Sequence, residues 1–315
     1  MRHRKALLHV LSAAVVAAIG LMCAPVPAEA QFRGLYTPGM NATNSGVLPE
    51  PDLTYSNLFQ LYQFDQIKNA DGDVVPSVSP NLNILIDQNL FVWVSKGQIL
   101  GGHYAVLAAL PLASSSLAEA ELGALTTGAG FADTYYQPVT LGWHLERADL
   151  QVGYGFFAAT GRFTPGATDN IGAGYWAHCP SAGQTFYLSA DKMTAVSAYE
   201  LYEFHTDQRD TDVHPGQTFN IDYSVSHNFA VKKDKSILLQ LAFVGYGQYQ
   251  TTHDSGASLT PAQIDSMYSV NALGGAANVI LPLRKTSVGV KYFQEFANKS
   301  TVQGHSLQIS ATVTF

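Results

Sequence analysis

A histidine and a serine stand side by side near the end of the chain, at His305 and Ser306, where they could supply a base and a nucleophile for lipid hydrolysis. Adjacent residues of a strand point to opposite faces, so the two side chains would not meet there. The Asn-Gly expected after such a serine is missing, as are a Gly-x-Ser-x-Gly elbow, a His-Glu-x-x-His motif and a phosphate loop. We therefore expect no catalytic residue, no cofactor and no enzyme activity.

A second group of chemically active side chains lies at residues 205–214, which include two histidines and three aspartates. Such oxygen and imidazole donors can bind calcium or another divalent metal. Their spacing does not match the calcium loop of an EF-hand. We expect a solvated loop without a metal.

The last eleven residues begin with His305, and from Ser306 to the terminus polar and apolar side chains alternate strictly. In a strand, Leu307, Ile309, Ala311, Val313 and Phe315 would form one apolar face and the residues between them a polar face. In a soluble sheet the apolar face packs on a core, whereas in an outer-membrane barrel it meets lipid and the polar face lines the lumen. This stretch is compatible with both.

The first thirty residues have the features of a secretory signal peptide. Three basic residues precede an apolar run, and the small residues at 28–30 suit a signal peptidase. We expect residues 1–30 to be removed, so that the mature chain begins near Gln31. Removal takes away these three basic residues and Glu29, so 17 basic and 24 acidic residues become 14 and 23, a net charge near −9. So acidic a chain is not expected to bind nucleic acid.

The composition favours a membrane barrel over a soluble domain. Charged residues make up only 13% of the sequence and aromatic residues 11%, which is little charge for a soluble domain. No segment after the signal peptide is an apolar run long enough for a spanning helix. A chain that crosses the membrane must then do so as a closed barrel. A soluble periplasmic β-sandwich is the alternative.

The connections between candidate strands alternate in length. Short connections near 95–97, 146–148, 189–192, 230–235 and 282–285 take turns with longer ones near 68–81, 111–133, 161–171, 207–216, 250–265 and 297–303. Outer-membrane barrels combine short periplasmic turns with long extracellular loops. We therefore predict an all-β fold, a transmembrane antiparallel β-barrel of about 12 strands over residues 53–315. An irregular lead-in, 31–52, precedes it, and one strand is placed at 172–177.

The lumen of the predicted barrel combines aromatic and polar side chains. The alternation places inward Phe91, Trp93, Leu107, Phe157, Tyr246 and Phe293, beside Asn220, Asp222, Gln240, Gln248, Lys291 and Glu295. A general ion porin would have a more charged lumen, so the mixture favours a path for a small amphipathic or aromatic molecule, unless the rings merely fill a narrow barrel. The candidate solute-binding residues are Phe157, Asp222, Tyr246, Gln248, Lys291, Phe293 and Glu295. The spacing of Lys291 and Glu295 on one face also predicts an ion pair.

Aromatic residues near strand ends are expected to form the interfacial girdles of the barrel. They are Tyr135, Trp143, Tyr223 and Phe315. The terminal Phe315 also has the form of the signal by which the outer-membrane assembly machinery recognises its substrates. We expect that machinery to be a partner.

Residues 133–143, 153–161 and 244–250 resemble the family named for the meta-cleavage pathway of phenol degradation. The similarity extends over residues 133–315 and rests on strand and turn patterns, not on catalytic signatures. Members of that family are taken to be outer-membrane channels for hydrophobic or aromatic compounds. The resemblance implies that membrane lipid and such a solute are partners of this chain. Ala159 departs from the family pattern, where a proline is expected.

These observations predict a channel in the outer membrane of a Gram-negative bacterium, for the passive uptake of small hydrophobic or aromatic compounds. The alternative is a general-diffusion or structural barrel without a specific solute. An outer-membrane lipid hydrolase is the third and least favoured function.

Overall fold

The computed structural model describes residues 33–76, 81–119, 123–126, 128–167 and 169–315. The predicted signal peptide lies outside the described residues. The strands are β1 Asp52–Ile67, β2 Asn81–Ile99, β3 Gly102–Glu119, β4 Gly123–Thr126, β5 Gly130–Phe131, β6 Thr134–His144, β7 Ala148–Ala158, β8 Ala177–Tyr187, β9 Thr194–His205, β10 Thr218–Ala230, β11 Leu238–Gln250, β12 Ser269–Leu281, β13 Thr286–Lys299 and β14 Val302–Thr314. A short helix, α1 Pro261–Asp265, and a 3₁₀ turn, Pro282–Arg284, complete the described elements.

Twelve strands, all except the short β4 and β5, form a closed antiparallel wall. Each pairs with its neighbour along the chain, and β3 pairs with β6 beyond the two short strands. The wall closes where β1 pairs with β14, from Thr54 beside Thr314 to Ile67 beside Val302. The predicted twelve-strand barrel is confirmed. Among the described residues, no helix is long and apolar enough to cross a membrane.

The strict alternation of β14 sets its two faces as predicted. Ser306 and Gln308 point into the barrel and are buried, whereas Ile309 and the terminal Phe315 are exposed on the outside. Apolar side chains thus cover the outer surface of this strand, where lipid lies, and polar side chains face the lumen.

The faces of β2 are opposite to the prediction. Phe91 and Trp93 are exposed on the outer surface, while Leu90 and Val92 point inward. The lumen is apolar beside this strand, so the rule that apolar residues face lipid fails. Some polar residues lie on the outer surface of β1 and β2, where they form hydrogen bonds with each other. Asn57 Nδ2, for example, donates to Asp87 Oδ1.

Three local predictions were wrong. The strand predicted at residues 172–177 or a little beyond begins only at Ala177, as β8, and its sequence contains Pro180 and Gly183, residues that are uncommon within strands. β3 continues to Glu119, where a loop was predicted. Tyr135 points into the barrel and is only 7% exposed, because its hydroxyl donates to the buried Gln137 Oε1; it does not belong to an outer girdle.

Arginine in place of Phe243 is expected to destabilise the barrel by about 2–4 kcal/mol, since a charge near the middle of the lipid-facing surface is costly. Phe243 lies within β11 and is 82% exposed on the outer surface. The free energy of unfolding in lipid vesicles measures the effect. Phe229→Arg, near the periplasmic end of β10, is the matched control and should cost at most about 1 kcal/mol. If both variants lost the same free energy of unfolding, Phe243 would not lie nearer the middle of the membrane than Phe229.

Candidate functional site

The chain that precedes β1 runs inside the barrel. Residues 33–50, here called the inner segment, form neither helix nor strand. The backbone N–H groups of Leu35 and Tyr36 donate to Glu203 on β9 at 2.7 and 3.1 Å. Further along the segment, Gly46 N donates to Thr185 Oγ1 on β8 at 3.0 Å. The inner segment is therefore bound to the wall by side chains that point into the lumen.

Two oppositely charged side chains hold the middle of the inner segment. Asp222 on β10 accepts hydrogen bonds from the Tyr36 hydroxyl at 2.6 Å, Gly39 N at 2.8 Å and Asn41 N at 2.9 Å. Lys291 on β13 donates from Nζ to the carbonyl oxygens of Gly39 and Met40, both at 2.7 Å. The carboxylate thus binds donors and the ammonium binds acceptors of one turn, which gives each charge the partners that burial requires.

The turn at residue 39 requires glycine. Its φ is +82°, a left-handed conformation that glycine adopts without strain. A Cβ atom there would lie 2.6 Å from the ring of Phe293, which itself packs on Tyr246 with ring centroids 5.0 Å apart. These two rings therefore form a close-fitting surface under the turn.

The first residue of the inner segment forms the main ion pair of the lumen. Arg33 donates from both terminal nitrogens to Glu295 at 2.7 and 3.0 Å. Glu295 also accepts from the Tyr246 hydroxyl at 3.0 Å and Asn298 Nδ2 at 2.9 Å. The predicted pair of Lys291 with Glu295 is wrong, because the inner segment provides each residue with its own partner: Arg33 binds Glu295, and the carbonyl oxygens of Gly39 and Met40 bind Lys291.

An apolar cavity of about 500 Å³ lies between the inner segment and one side of the wall. Register pairs of β2 and β3 line it on one side, from Ile86 beside Ala113 to Val92 beside Leu107. The other lining residues include Leu35, Tyr36, Met40, Tyr135, Phe157, Tyr199 and Leu201. The lining extends to Asp133 and Ala173 in the extracellular loops. One side of the inner segment is thus bound by charges, and the other side faces an apolar space.

A second cavity, of about 210 Å³, lies toward the periplasmic ends of the strands. Amide and hydroxyl side chains line it: Asn44, Asn278, Gln240, Ser287, Ser310 and Thr312. Lys291 is its charged lining residue among those described. The two cavities adjoin, since Met40, Asn41, Ser56 and Leu90 line both.

The predicted solute-binding residues fall into two groups. Phe157 lines the apolar cavity. The other six lie on the charged side: Asp222, Lys291 and Glu295 bind the inner segment, Tyr246 and Phe293 support it, and Gln248 donates to Asn220 at 2.7 Å. Their role toward a solute stays a prediction.

Sequence reasoning missed the residues that lie in or contact the irregular lead-in. Arg33, Tyr36 and Glu203 are central to the site. Arg33 and Tyr36 lie outside the strands, so the alternation of side chains along a strand could not identify them. Glu203 carried a usable signal, because it lies on the opposite face of β9 from Glu200, which leaves one carboxylate facing the lumen.

Polar groups of the loops beyond the strands form hydrogen bonds with one another. Asp133 accepts from Gly161 N at 2.9 Å and Ala173 N at 2.7 Å; burial raises the pKa of its carboxyl, and these hydrogen bonds oppose the shift. In the loop 205–214, His214 contacts Asp207 at 2.8 Å. Within the described residues, no group of three or more histidine, cysteine or acidic side chains is placed to hold a metal.

His305 and Ser306 do not meet. His305 Nε2 lies 2.9 Å from Gln63 Oε1 on the outer surface, whereas Ser306 is buried on the lumen side. The two residues therefore belong to opposite faces of the wall, as their adjacency predicts.

Comparison with known proteins adds to this description. The family described as “Putative MetA-pathway of phenol degradation” matches residues 64–311. Among curated proteins, none matches the sequence. An outer membrane channel from Pseudomonas putida F1, of the group COG4313, has a similar structure, with a TM-score of 0.70, 15% identity and coverage of 89% of this chain and 100% of that one. A Pseudomonas aeruginosa FadL homologue gives a TM-score of 0.41 and 8% identity, covering 91% and 100%. The chain has the closed antiparallel β-barrel fold of the Pseudomonas putida channel.

Proposed function

Because the chain belongs to the family described as “Putative MetA-pathway of phenol degradation”, we propose that it is an outer-membrane channel for the passive uptake of small hydrophobic or aromatic compounds. The observation that carries this proposal is the largely apolar cavity between the inner segment and the wall. An apolar solute that leaves water for such a cavity gains about 25 cal/mol for each Å² that it buries.

The position of the cavity supports entry from outside the cell. Its lining begins among extracellular loops, near Asp133 and Ala173, and continues past Tyr135 and Phe157 to Val92. Aromatic rings on this path offer faces for a solute ring to pack against. No step needs an energy source, because the solute moves down its own concentration gradient.

The inner segment argues against a general-diffusion pore. It lies across the lumen and is hydrogen-bonded to several strands, among them β8, β9 and β10. Hydrated ions and sugars would have to pass the apolar cavity, whose lining does not replace their hydration. An apolar molecule meets no such cost.

Aspartate in place of Leu107 is expected to lower the uptake of an apolar solute by about tenfold, because it sets a carboxylate into the cavity lining. Uptake of toluene or phenol into proteoliposomes measures the effect. Leu107→Met, which keeps size and polarity, is the matched control. Both variants must show the heat-modifiable gel migration of a folded barrel. Unchanged uptake in a folded Leu107→Asp variant would refute transport through this cavity.

A further inference from the structure

The two adjoining cavities together form one amphipathic space. Met40 and Asn41 of the inner segment and Ser56 and Leu90 of the wall line both of them. A molecule that fills the apolar cavity therefore has its inner end beside the polar one. Since the polar cavity lies toward the periplasmic strand ends, the apolar part of such a molecule would point toward the cell exterior.

The apolar cavity is elongated. Both members of five successive inward register pairs of β2 and β3 line it, from Ile84 beside Ser115 to Val92 beside Leu107. Eight residues of strand separate the two ends, which is about 27 Å at roughly 3.4 Å per residue. This exceeds the length of a single aromatic ring and suits an extended apolar body.

The polar cavity offers a ligand several hydrogen-bond donors. Asn278 Nδ2 donates to Gln240 Oε1 at 2.9 Å, and Gln240 Nε2 donates to Asn44 Oδ1 at 3.1 Å. Each of these bonds uses an amide oxygen and leaves the second N–H of the amide nitrogen. Lys291 donates two of its three N–H groups to carbonyl oxygens of the inner segment, which leaves one for a ligand.

The charge of the polar cavity has one sign. Lys291 is positive, and no aspartate or glutamate belongs to the described lining. An anionic group there would gain charge-assisted hydrogen bonds. A cationic group would meet the ammonium, whereas the carboxylate of Asp222, which binds the same turn, lies outside this lining and accepts three hydrogen bonds from the inner segment.

We infer that the site binds an amphiphile with an extended apolar chain in the apolar cavity and an anionic head, a carboxylate in the simplest case, in the polar cavity beside Lys291. This inference rests on the proposed function and names the class of solute within it. Lys291 and the amide of Asn278 are its specificity-determining groups.

The test compares three probes with one apolar chain and different heads: dodecanoate, dodecanol and dodecylammonium. Binding of each radiolabelled probe is measured with the full mature chain in lipid nanodiscs, and binding to empty nanodiscs is subtracted. We expect dodecanoate to bind about tenfold more tightly than dodecanol and dodecylammonium to bind least.

Two variants locate the head. Lys291→Met should abolish the preference for dodecanoate, and Lys285→Met, in an exposed periplasmic turn, is the matched control for loss of one positive charge. Because Lys291 also holds the inner segment, Asn278→Leu is the second variant; it should reduce the preference severalfold without removing any hydrogen bond to the segment.

The outcomes separate this inference from the proposed function. If the three probes bind equally, or if Lys291→Met and Asn278→Leu both keep the preference for dodecanoate, the inference is overturned. If Leu107→Asp still weakens the binding of all three probes, the apolar cavity remains the binding site and the proposed function stands. If no probe binds above empty nanodiscs and Leu107→Asp changes neither toluene nor phenol uptake, both fail.

Discussion

Deletion of residues 33–48 is expected to raise the permeability of proteoliposomes to small hydrophilic solutes by about a hundredfold. Side chains fill the interior of barrels of about eight strands, whereas barrels of 16–18 strands leave an aqueous channel. A twelve-strand wall lies between these limits, and here the inner segment occupies the lumen. Without it, water and ions can cross the barrel. Liposome swelling with a series of sugars measures the change, and the cutoff in sugar size gives the width of the open lumen.

A milder change controls for misfolding of the deletion variant. Asp222→Asn with Lys291→Met keeps the inner segment but weakens the contacts of its turn, and it should give an intermediate permeability. Asp234→Asn with Lys285→Met alters the same types of charge in exposed periplasmic turns and should leave permeability unchanged. Wild-type permeability in a deletion variant that migrates as a folded barrel would mean that the segment does not occlude the lumen.

Alanine in place of Glu295 is expected to destabilise the folded barrel by about 3–5 kcal/mol, because it leaves the buried guanidinium of Arg33 without its carboxylate. The Glu295 side chain is fully buried and that of Arg33 is 16% exposed. The hydrogen bonds from Tyr246 and Asn298 are lost as well. The urea dependence of unfolding in vesicles measures the free energy.

A double-mutant cycle isolates the ion pair from the rest of the network. Arg33→Met combined with Glu295→Ala should cost less than Glu295→Ala alone, since the double variant contains no unpaired charge. Glu146→Ala, in an exposed turn, should change the free energy of unfolding by no more than about 0.5 kcal/mol. A double variant that is less stable than both single ones would contradict the pairing.

The barrel could be predicted from the sequence because its signals are local. The faces of β14 follow from strict alternation between residues 306 and 315, and the strand number follows from the spacing of turns. β2 misled the same reasoning, because Ile86, Leu90 and Val92 are apolar yet line the lumen. Alternation shows that two faces differ and cannot show which one meets lipid when the lumen is apolar as well.

The inner segment could not be predicted for a different reason. Its contacts join residues far apart in the chain, such as Arg33 and Glu295, which are separated by 262 positions. Neither end of such a contact has a spacing that identifies the other. Asp222, Lys291 and Glu295 point into the lumen as predicted, but the expected partners were a solute and, for Lys291 and Glu295, also each other. The structure shows the inner segment as the partner of all three.

The inner segment also covers negatively charged side chains of the barrel wall. Three carboxylates bind the segment, those of Glu203, Asp222 and Glu295, and among the described residues of the wall one ammonium, that of Lys291, does so, which makes the wall negative where the segment lies. Arg33 and the N–H groups of the segment compensate that charge. In the deletion variant the lumen would expose these three carboxylates, and we expect such a pore to conduct cations in preference to anions. The same side chains that hold the segment in place would then act as a selectivity filter.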